Sequence, residues 1–395
     1  MSNAYQNASL IVTPNAYKAS KIYALKPTDG SGDLSFSRAG SKMVRNSSGL
    51  WETIGTNIPP LHYPVGGGCP SWLFEAEATC LIPASNLFIG DCTKTTGITD
   101  SPISGLTSVR ITKTSASAEY VVSSYSAAIA SATPYAISLY FKYDGHDIDS
   151  SLEFNNSGDF GVLWRCDIAI RSTGITISST TSCTAELIEE ANGWYRLEVS
   201  LTTATVINNS GSILILASGD NGATFLITTS NITQEANPSS PILTSVGNVT
   251  RFADVPTTKN ISLGVDEGSF YFQLKERPSA QPDYNGISEN SAINGSGKNI
   301  LCYDGGIYHN LGGGFNALTA IANNDKVCIF WNSTTLWVSK NGATAATFNK
   351  TGITFNPLFW NQCRVGANIV GTILYDDSIF YTACLSITEA NNLTA

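Results

Sequence analysis

Three carboxylates crowd one short stretch, Tyr143-Asp144-Gly145-His146-Asp147-Ile148-Asp149. Hard cations such as Ca2+ take several oxygen ligands, so Asp144, Asp147 and Asp149 are the candidate metal ligands. A solvated turn after a strand is the plainer alternative, and Asp376-Asp377 carries the same two readings. Aromatic side chains are the second resource, with seven Trp and 16 Tyr. A flat ring stacks on the C–H face of a sugar. Trp164, Trp337 and Trp360, near loops or hairpins, are the candidate carbohydrate contacts, weighed against packing in a core. Acid–base and nucleophilic chemistry find less. The three His (His62, His146, His309) form no H-x-x-x-H pair, and His62 in PPLHYP reads as structural. G-x-S-x-G, Walker A and G-x-G-x-x-G are all missing. Glu75 and Glu77 read as architectural, and the adjacent Glu189 and Glu190 would face opposite sides of a strand. On these grounds the chain is expected not to be an enzyme.

Composition says what kind of scaffold must position these groups. The chain has 395 residues, enough for two or three domains at about 100–200 residues each. Only 13% are charged, about half the usual share of roughly 25%. Helix surfaces rely on Glu, Lys and Arg. The abundant Val, Ile, Thr and aromatic residues favour strands. The expected class is all-β. The formal charge of −9 lacks the basic footprint of a nucleic-acid binder. Residues 1–70 nevertheless carry six basic and three acidic groups. That turn-rich, mildly basic segment is expected to dock on an acidic partner or along its own body. Nine Cys with no C-x-x-C give a zinc site no spacing support. Cys302, Cys328 and Cys384 sit in apolar strand-like runs, as reduced thiols of a reducing cytoplasm do. The N-terminus shows no apolar signal-peptide core. The longest aliphatic run, ILILA at 213–217, is far short of the ~20 residues a membrane span needs.

The elements follow from period-two patterns. In YAISLYFKY, Ile137, Leu139, Phe141 and Tyr143 point one way, which predicts a half-buried strand. WYRLEVSL (194–201), SFYFQLK and KVCIFW (326–331) read alike. TLWVSKNGATAATF (335–348) reads as a hairpin closed by Asn341-Gly342, a type I′ signal. ILYDDSIFY (373–381) is a strand pair or one bent strand. SITEANNLTA offers one short helix capped by Thr388. Short strands at close spacing suggest antiparallel sandwiches or jelly rolls.

The stretch DLSFSRAGSKMVRNSSGLWETIGTNIPPLHYPVGGGCPSWLFEAEAT (33–79) resembles the N-terminal signature of phage tail- or fibre-type structural proteins. Phe36, Arg38, Gly49, Leu50, Glu52, Pro59, Pro60, Tyr63, Cys69, Pro70, Leu73, Glu75 and Thr79 carry it. Pro60 replaces a usual Arg, and Cys80 a usual Asn. ANGWYRLEVSLTTA (191–204) is similar to a strand of carbohydrate-binding-module-like jelly rolls, and QEANPSSPILTSVGNVTRFADV (234–255) to their closing segment. GSFYFQL, KVCIFW…TLWVSKNG and GTILYDDSIFYTACLSITEANNLT resemble concanavalin A/laminin-G-like sandwiches. The carboxylate-bearing E-x-D-x-[x]-E strand of sandwich glycosidases has no counterpart. The resemblance implies a turn-rich N-terminal virion-anchoring arm (1–78), a jelly roll (79–253) and a second antiparallel β-sandwich (254–395). It implies anchoring contacts at Tyr17, Tyr23, Arg38, Arg45 and Trp51. A head or tail fibre appendage is the expected setting, in a virion assembled in the host bacterial cytoplasm. Its partners would be other virion proteins, sister copies in a homotrimer and host or mucosal glycans, with no nucleic acid and no membrane insertion. No cofactor is implied beyond a structural Ca2+. The alternatives are decoration without glycan binding and a glycan depolymerase.

Overall fold

The structure, a computed structural model, describes residues 4–82, 89–90, 92–115, 119–125, 130, 132–156, 159–202, 211–218, 221–236, 238–245, 248–256, 259–261, 263, 266–276, 285–289, 298–303, 306–312, 314–362, 364–365, 368–369 and 372–395. It is an all-β molecule of two antiparallel sandwiches. The first packs a sheet in the order Thr93–Ile98, Ser108–Thr112, Thr224–Thr233, Pro134–Tyr143, Trp194–Thr202, Thr184–Glu189 against one in the order Gly174–Thr181, Asp159–Arg171, Ile148–Asn156, Gly211–Ser218, Glu119–Tyr125, Ile89–Gly90. Ala78–Cys80 and Val249–Arg251 extend the former sheet. Ile137, Leu139 and Phe141 from one layer meet Leu152, Trp164, Cys166 and Ile168 from the other. The alternation read from the sequence thus places one face of each strand in a common core.

The second sandwich draws on both ends of the chain. Its larger sheet runs Val255–Pro256, Leu34–Ser37, Lys21–Lys26, Leu10–Lys18, Thr372–Tyr381, Gly268–Glu276, Lys326–Trp331, Thr335–Lys340, Ala343–Asn349, and Ser71–Glu75 also pairs with Thr372–Tyr381. Lys259–Asn260, Phe359–Gln362, Asn285–Ser288, Asn299–Tyr303, Gly306–Asn310 and Asn316–Ala320 form the facing sheet. Phe270, Phe272, Phe380, Ile287, Ile300 and Trp360 fill the space between. Of the two docking modes open to the N-terminal segment, the structure shows the second: it runs along its own body and supplies strands to it. ILYDDSIFY is one strand with register shifts, pairing with Gly268–Glu276 on one side and with Leu10–Lys18 and Ser71–Glu75 on the other.

Three local expectations resolve in detail. Asn341 (φ 50°) and Gly342 (φ 84°) take the left-handed conformations of the type I′ hairpin. The helix at Ile387–Thr394 is capped by Ser386, not Thr388; Ser386 and Glu389 form a capping box. A second short helix, Ala4–Asn7, was not anticipated. The strand Pro134–Tyr143 is buried on both faces rather than one. Ala136, Ser138 and Tyr140, on the face expected to meet water, lie at 1%, 3% and 0% exposure. The reason is the N-terminal segment. Met43 and Trp51, on the hairpin Lys42–Arg45/Trp51–Ile54, form a second hydrophobic layer over Tyr140, Trp194 and Leu226.

All eight described cysteines are free thiols; Cys363 lies outside the described residues. Burial pushes the thiol of Cys166 up to about 12, far from the thiolate that reacts. No described helix is long and apolar enough to cross a membrane.

Candidate functional site

The structure separates the three tryptophan candidates. Trp164 (1% exposed) and Trp360 (0%) are core residues. Their places as carbohydrate contacts are corrected: each points inward from a strand, and Trp360 meets Phe380 edge-on at 5.0 Å. Trp337 alone is partly exposed. It stands on the outer face of the larger sheet of the second sandwich, stacked on Phe330 of the neighbouring strand with centroids 5.4 Å apart and rings 13° from parallel. On its other side the cross-strand partner is Thr347. That threonine is exposed, and its strand, Ala343–Asn349, ends the sheet. A threonine is too short to cover an indole, and no further strand follows. The indole packs into the small outer-face cluster of Phe330, Ile379, Tyr381 and the helix residue Ala390, and is half-buried there.

The carboxylates of the Asp144–Asp149 loop do not converge. Arg110 takes Asp144 through Nε (2.5 Å) and Nη2 (3.1 Å). Arg171 takes Asp149 through Nη2 and lies 4.0 Å from Asp147. The candidate metal site is corrected accordingly, because the acids are divided between two guanidinium groups. Among the described residues no group of three or more His, Cys, Asp or Glu is placed to hold a metal ion. Asp376 likewise accepts from Ser71 Oγ at 2.5 Å and pairs with Lys275 at 3.0 Å.

The expected anchoring residues divide as well. Tyr17 is exposed, edge-on to Trp72 at 6.0 Å. Tyr23 is partly exposed beneath the ammonium groups of Lys18 and Lys21 at 5.7 and 5.2 Å. Arg38, Arg45 and Trp51 are buried, at 1%, 8% and 3% exposure. The anchoring contacts expected of these three are corrected: their side chains are buried and bind the chain to itself.

They belong to a charged junction that sequence reasoning did not assemble. Lys42 Nζ has three acceptors, Glu75 Oε2 at 2.6 Å, Asp254 Oδ2 at 2.7 Å and the Leu73 carbonyl at 2.8 Å. These match the three donors of an ammonium group. Arg38 donates from Nη1 to Asp254 Oδ1 at 2.8 Å and three more donors go to the carbonyls of Gly40, Gly55 and Ile58. Ser240 donates N–H and Oγ–H to the Glu75 carboxylate at 2.7 and 2.6 Å. Arg251 lies 3.5 Å from Glu75 and 3.2 Å from Glu235. Nearby, Arg45 grips Glu190 through Nε (3.2 Å) and Nη2 (3.0 Å), while Trp51 Nε1 donates to Glu190 Oε1 at 3.1 Å.

Burial alone would raise the Glu75 carboxyl. Arg251 and Lys42, with hydrogen bonds from Lys42 and Ser240, outweigh it and hold the group well below the usual carboxylate range. His62 accepts at Nδ1 from the Arg45 N–H at 3.0 Å. Burial, then the charge of Arg45, push it well below its ordinary value. The junction joins the N-terminal segment, the first sandwich and the Val249–Pro256 passage into the second. Arg38, Lys42, Arg45, Trp51 and Glu75 come from the 33–79 stretch, Glu235, Ser240, Arg251 and Asp254 from the 234–255 stretch, and Glu190 from the first sandwich.

No family and no curated protein matches the sequence. Among solved structures, a Trypanosoma rangeli sialidase in complex with sialic acid is 10% identical, covering 98% of this chain and 83% of its own, with a TM-score of 0.26. A second T. rangeli sialidase structure covers 77% of this chain, which spans 62% of that protein's length, with a TM-score of 0.23. The LG1–3 region of the laminin α2 chain is 11% identical over 68% of this chain and 66% of that one, with a TM-score of 0.15. The exclusion of enzymes drawn from the sequence is corrected by this result, since sialidases are enzymes. Likeness at this level transfers neither a reaction nor a catalytic residue.

Proposed function

We propose that this chain is a β-sandwich adhesion protein of a phage particle, displayed as a head or tail appendage, whose second sandwich touches host or mucosal glycans through Trp337. The observation that carries the reading is the indole of Trp337, stacked on Phe330 and partly exposed on the outer face beside the exposed Thr347. An aromatic face held rigid in this way costs little ordering entropy when a ligand docks. The particle setting rests on the resemblance of the 33–79 string, whose Arg38, Lys42 and Glu75 meet Asp254 in the buried junction. Sister copies, three in a fibre, would turn weak single contacts into strong attachment, since multivalency multiplies avidity by about 10²–10⁴.

The test has two parts. The full chain is passed over immobilised host-surface glycans, with Trp337→Ala as the control. Retention that disappears in the variant, with only a small loss of thermal stability, is expected; equal retention of the two proteins would refute the role of Trp337. Immuno-gold labelling of purified particles is expected to decorate an external appendage, and unlabelled particles would refute the setting.

A further inference from the structure

The surroundings of Trp337 point to the class of sugar. We infer that Trp337, Asn332 and Asn349 form a subsite for a neutral glycan unit and discriminate against acidic ones; this rests on the adhesion reading above. On the sheet face that carries Trp337, period-two geometry places Thr335 two residues back and Thr347 directly across, with Asn349 opposite Thr335. None of these side chains ionises. The two asparagines are fixed in orientation. Asn332 Oδ1 accepts from the N–H groups of Thr334 (2.9 Å) and Thr335 (2.9 Å). Asn349 Oδ1 accepts from Thr351 N–H at 3.0 Å and Thr351 Oγ at 2.8 Å. With each amide oxygen committed to its turn, each amide NH2 is the group left to donate. Two oriented donors beside a partly exposed indole suit the hydroxyl and ring oxygens of a neutral sugar.

The charges nearby argue against an acidic ligand. Lys350 is buried against Asp266 at 3.2 Å and the Ile353 carbonyl at 3.1 Å. Lys340 is tied to the Ala320 carbonyl at 3.0 Å and Asp325 at 3.5 Å. Neither is free to meet a carboxylate. The chain as a whole carries −9, and three of its N-terminal cations, Arg38, Lys42 and Arg45, are buried. An anionic glycan would approach a surface of its own sign.

The experiment uses the full chain with two immobilised probes, a neutral galactose/N-acetylglucosamine oligosaccharide and the same oligosaccharide capped with sialic acid. The neutral probe is expected to bind about tenfold or more tightly than the capped one. Asn332→Asp and Asn349→Asp keep the turn acceptors but remove the donors, so each is expected to weaken neutral-probe binding with the melting temperature unchanged. Thr347→Lys, at an exposed position, is expected to move the preference toward the capped probe. Equal or tighter binding of the capped probe, or full binding by both Asp variants, overturns the inference while leaving adhesion standing. Binding of neither probe nor any other host glycan overturns both.

Discussion

Lys42 and Glu75 face each other at 2.6 Å with neither side chain reached by solvent. Asp254 completes the triad at 2.7 Å from the same ammonium group. Removing Lys42 would leave two carboxylates buried without their shared partner. Lys42→Met is therefore expected to destabilise the protein by about 3–5 kcal/mol, measured by chemical denaturation. A loss under about 1 kcal/mol, the range of an exposed ion pair, would show that the junction is hydrated.

Acid should weaken the molecule before its carboxylates titrate. The folded-state pKa of His62 lies well below 6.5 because burial and Arg45 oppose its charging. His309 is lowered by burial. The unfolded chain binds these protons first, so stability is fully present above pH ~6.5 and falls at roughly 1.4 kcal/mol per pH unit for each proton as pH drops from there. Glu75 adds a second loss at lower pH. Its folded value is depressed, so its contribution is present above the unfolded carboxylate pKa of about 4.3 and declines as pH falls below it. Denaturation midpoints between pH 7.5 and 5 should slope for the native chain and flatten in part for His62→Gln. A flat native profile would contradict the burial of both histidines.

The tryptophans should behave as two classes. Trp360→Ala empties a filled position between the sheets and is expected to cost about 3–5 kcal/mol. Trp337→Ala, on the outer face, is expected to cost far less while abolishing glycan retention. Thermal melts of both variants beside retention assays check the division. A severe melt for Trp337→Ala would reassign it to packing.

Much of this fold is legible in the sequence, because period-two alternation in segments such as KVCIFW and SFYFQLK is a local signal. The hairpin at Asn341-Gly342 is equally local. What stayed hidden depends on residues far apart in the chain. Arg38 and Asp254 meet across 216 positions, and nothing near either announces the other. Tyr140 looked solvent-facing by alternation, yet Trp51 shares its hydrophobic layer, and the Arg196 guanidinium lies 5.4 Å from the Trp51 ring. Trp164, Trp337 and Trp360 share a residue type. All three lie one strand from a sheet edge; only the face each takes, inward for Trp164 and Trp360 and outward for Trp337, distinguishes the partly exposed ring from the buried ones.

The C-terminal helix offers a small calibration. Ser386 accepts from the Glu389 N–H at 3.2 Å, and Glu389 accepts from the Ser386 N–H at 2.9 Å. Ser386→Ala is expected to cost about 1 kcal/mol, whereas Thr388→Ala should be nearly silent. Gly342→Ala is expected to cost a similar ~1 kcal/mol through its positive φ, since an added methyl would make only ordinary contact with Ala395. Equal melting temperatures for the Ser386 and Thr388 variants would argue against the capping box.

The Ser9 N–H bonds the Phe380 carbonyl at 2.8 Å, beside the pairing of Leu10–Lys18 with Thr372–Tyr381. These partners lie 371 positions apart. During synthesis, Leu10–Lys18 therefore waits, one hydrogen-bonding edge unsatisfied, until Thr372–Tyr381 has been made. Pairing of such long range is slow, and an open edge invites the wrong neighbour. Copies of the chain made side by side would be well placed to exchange these strands, so the pairing that closes this sheet is also the one at which two molecules most easily become entangled.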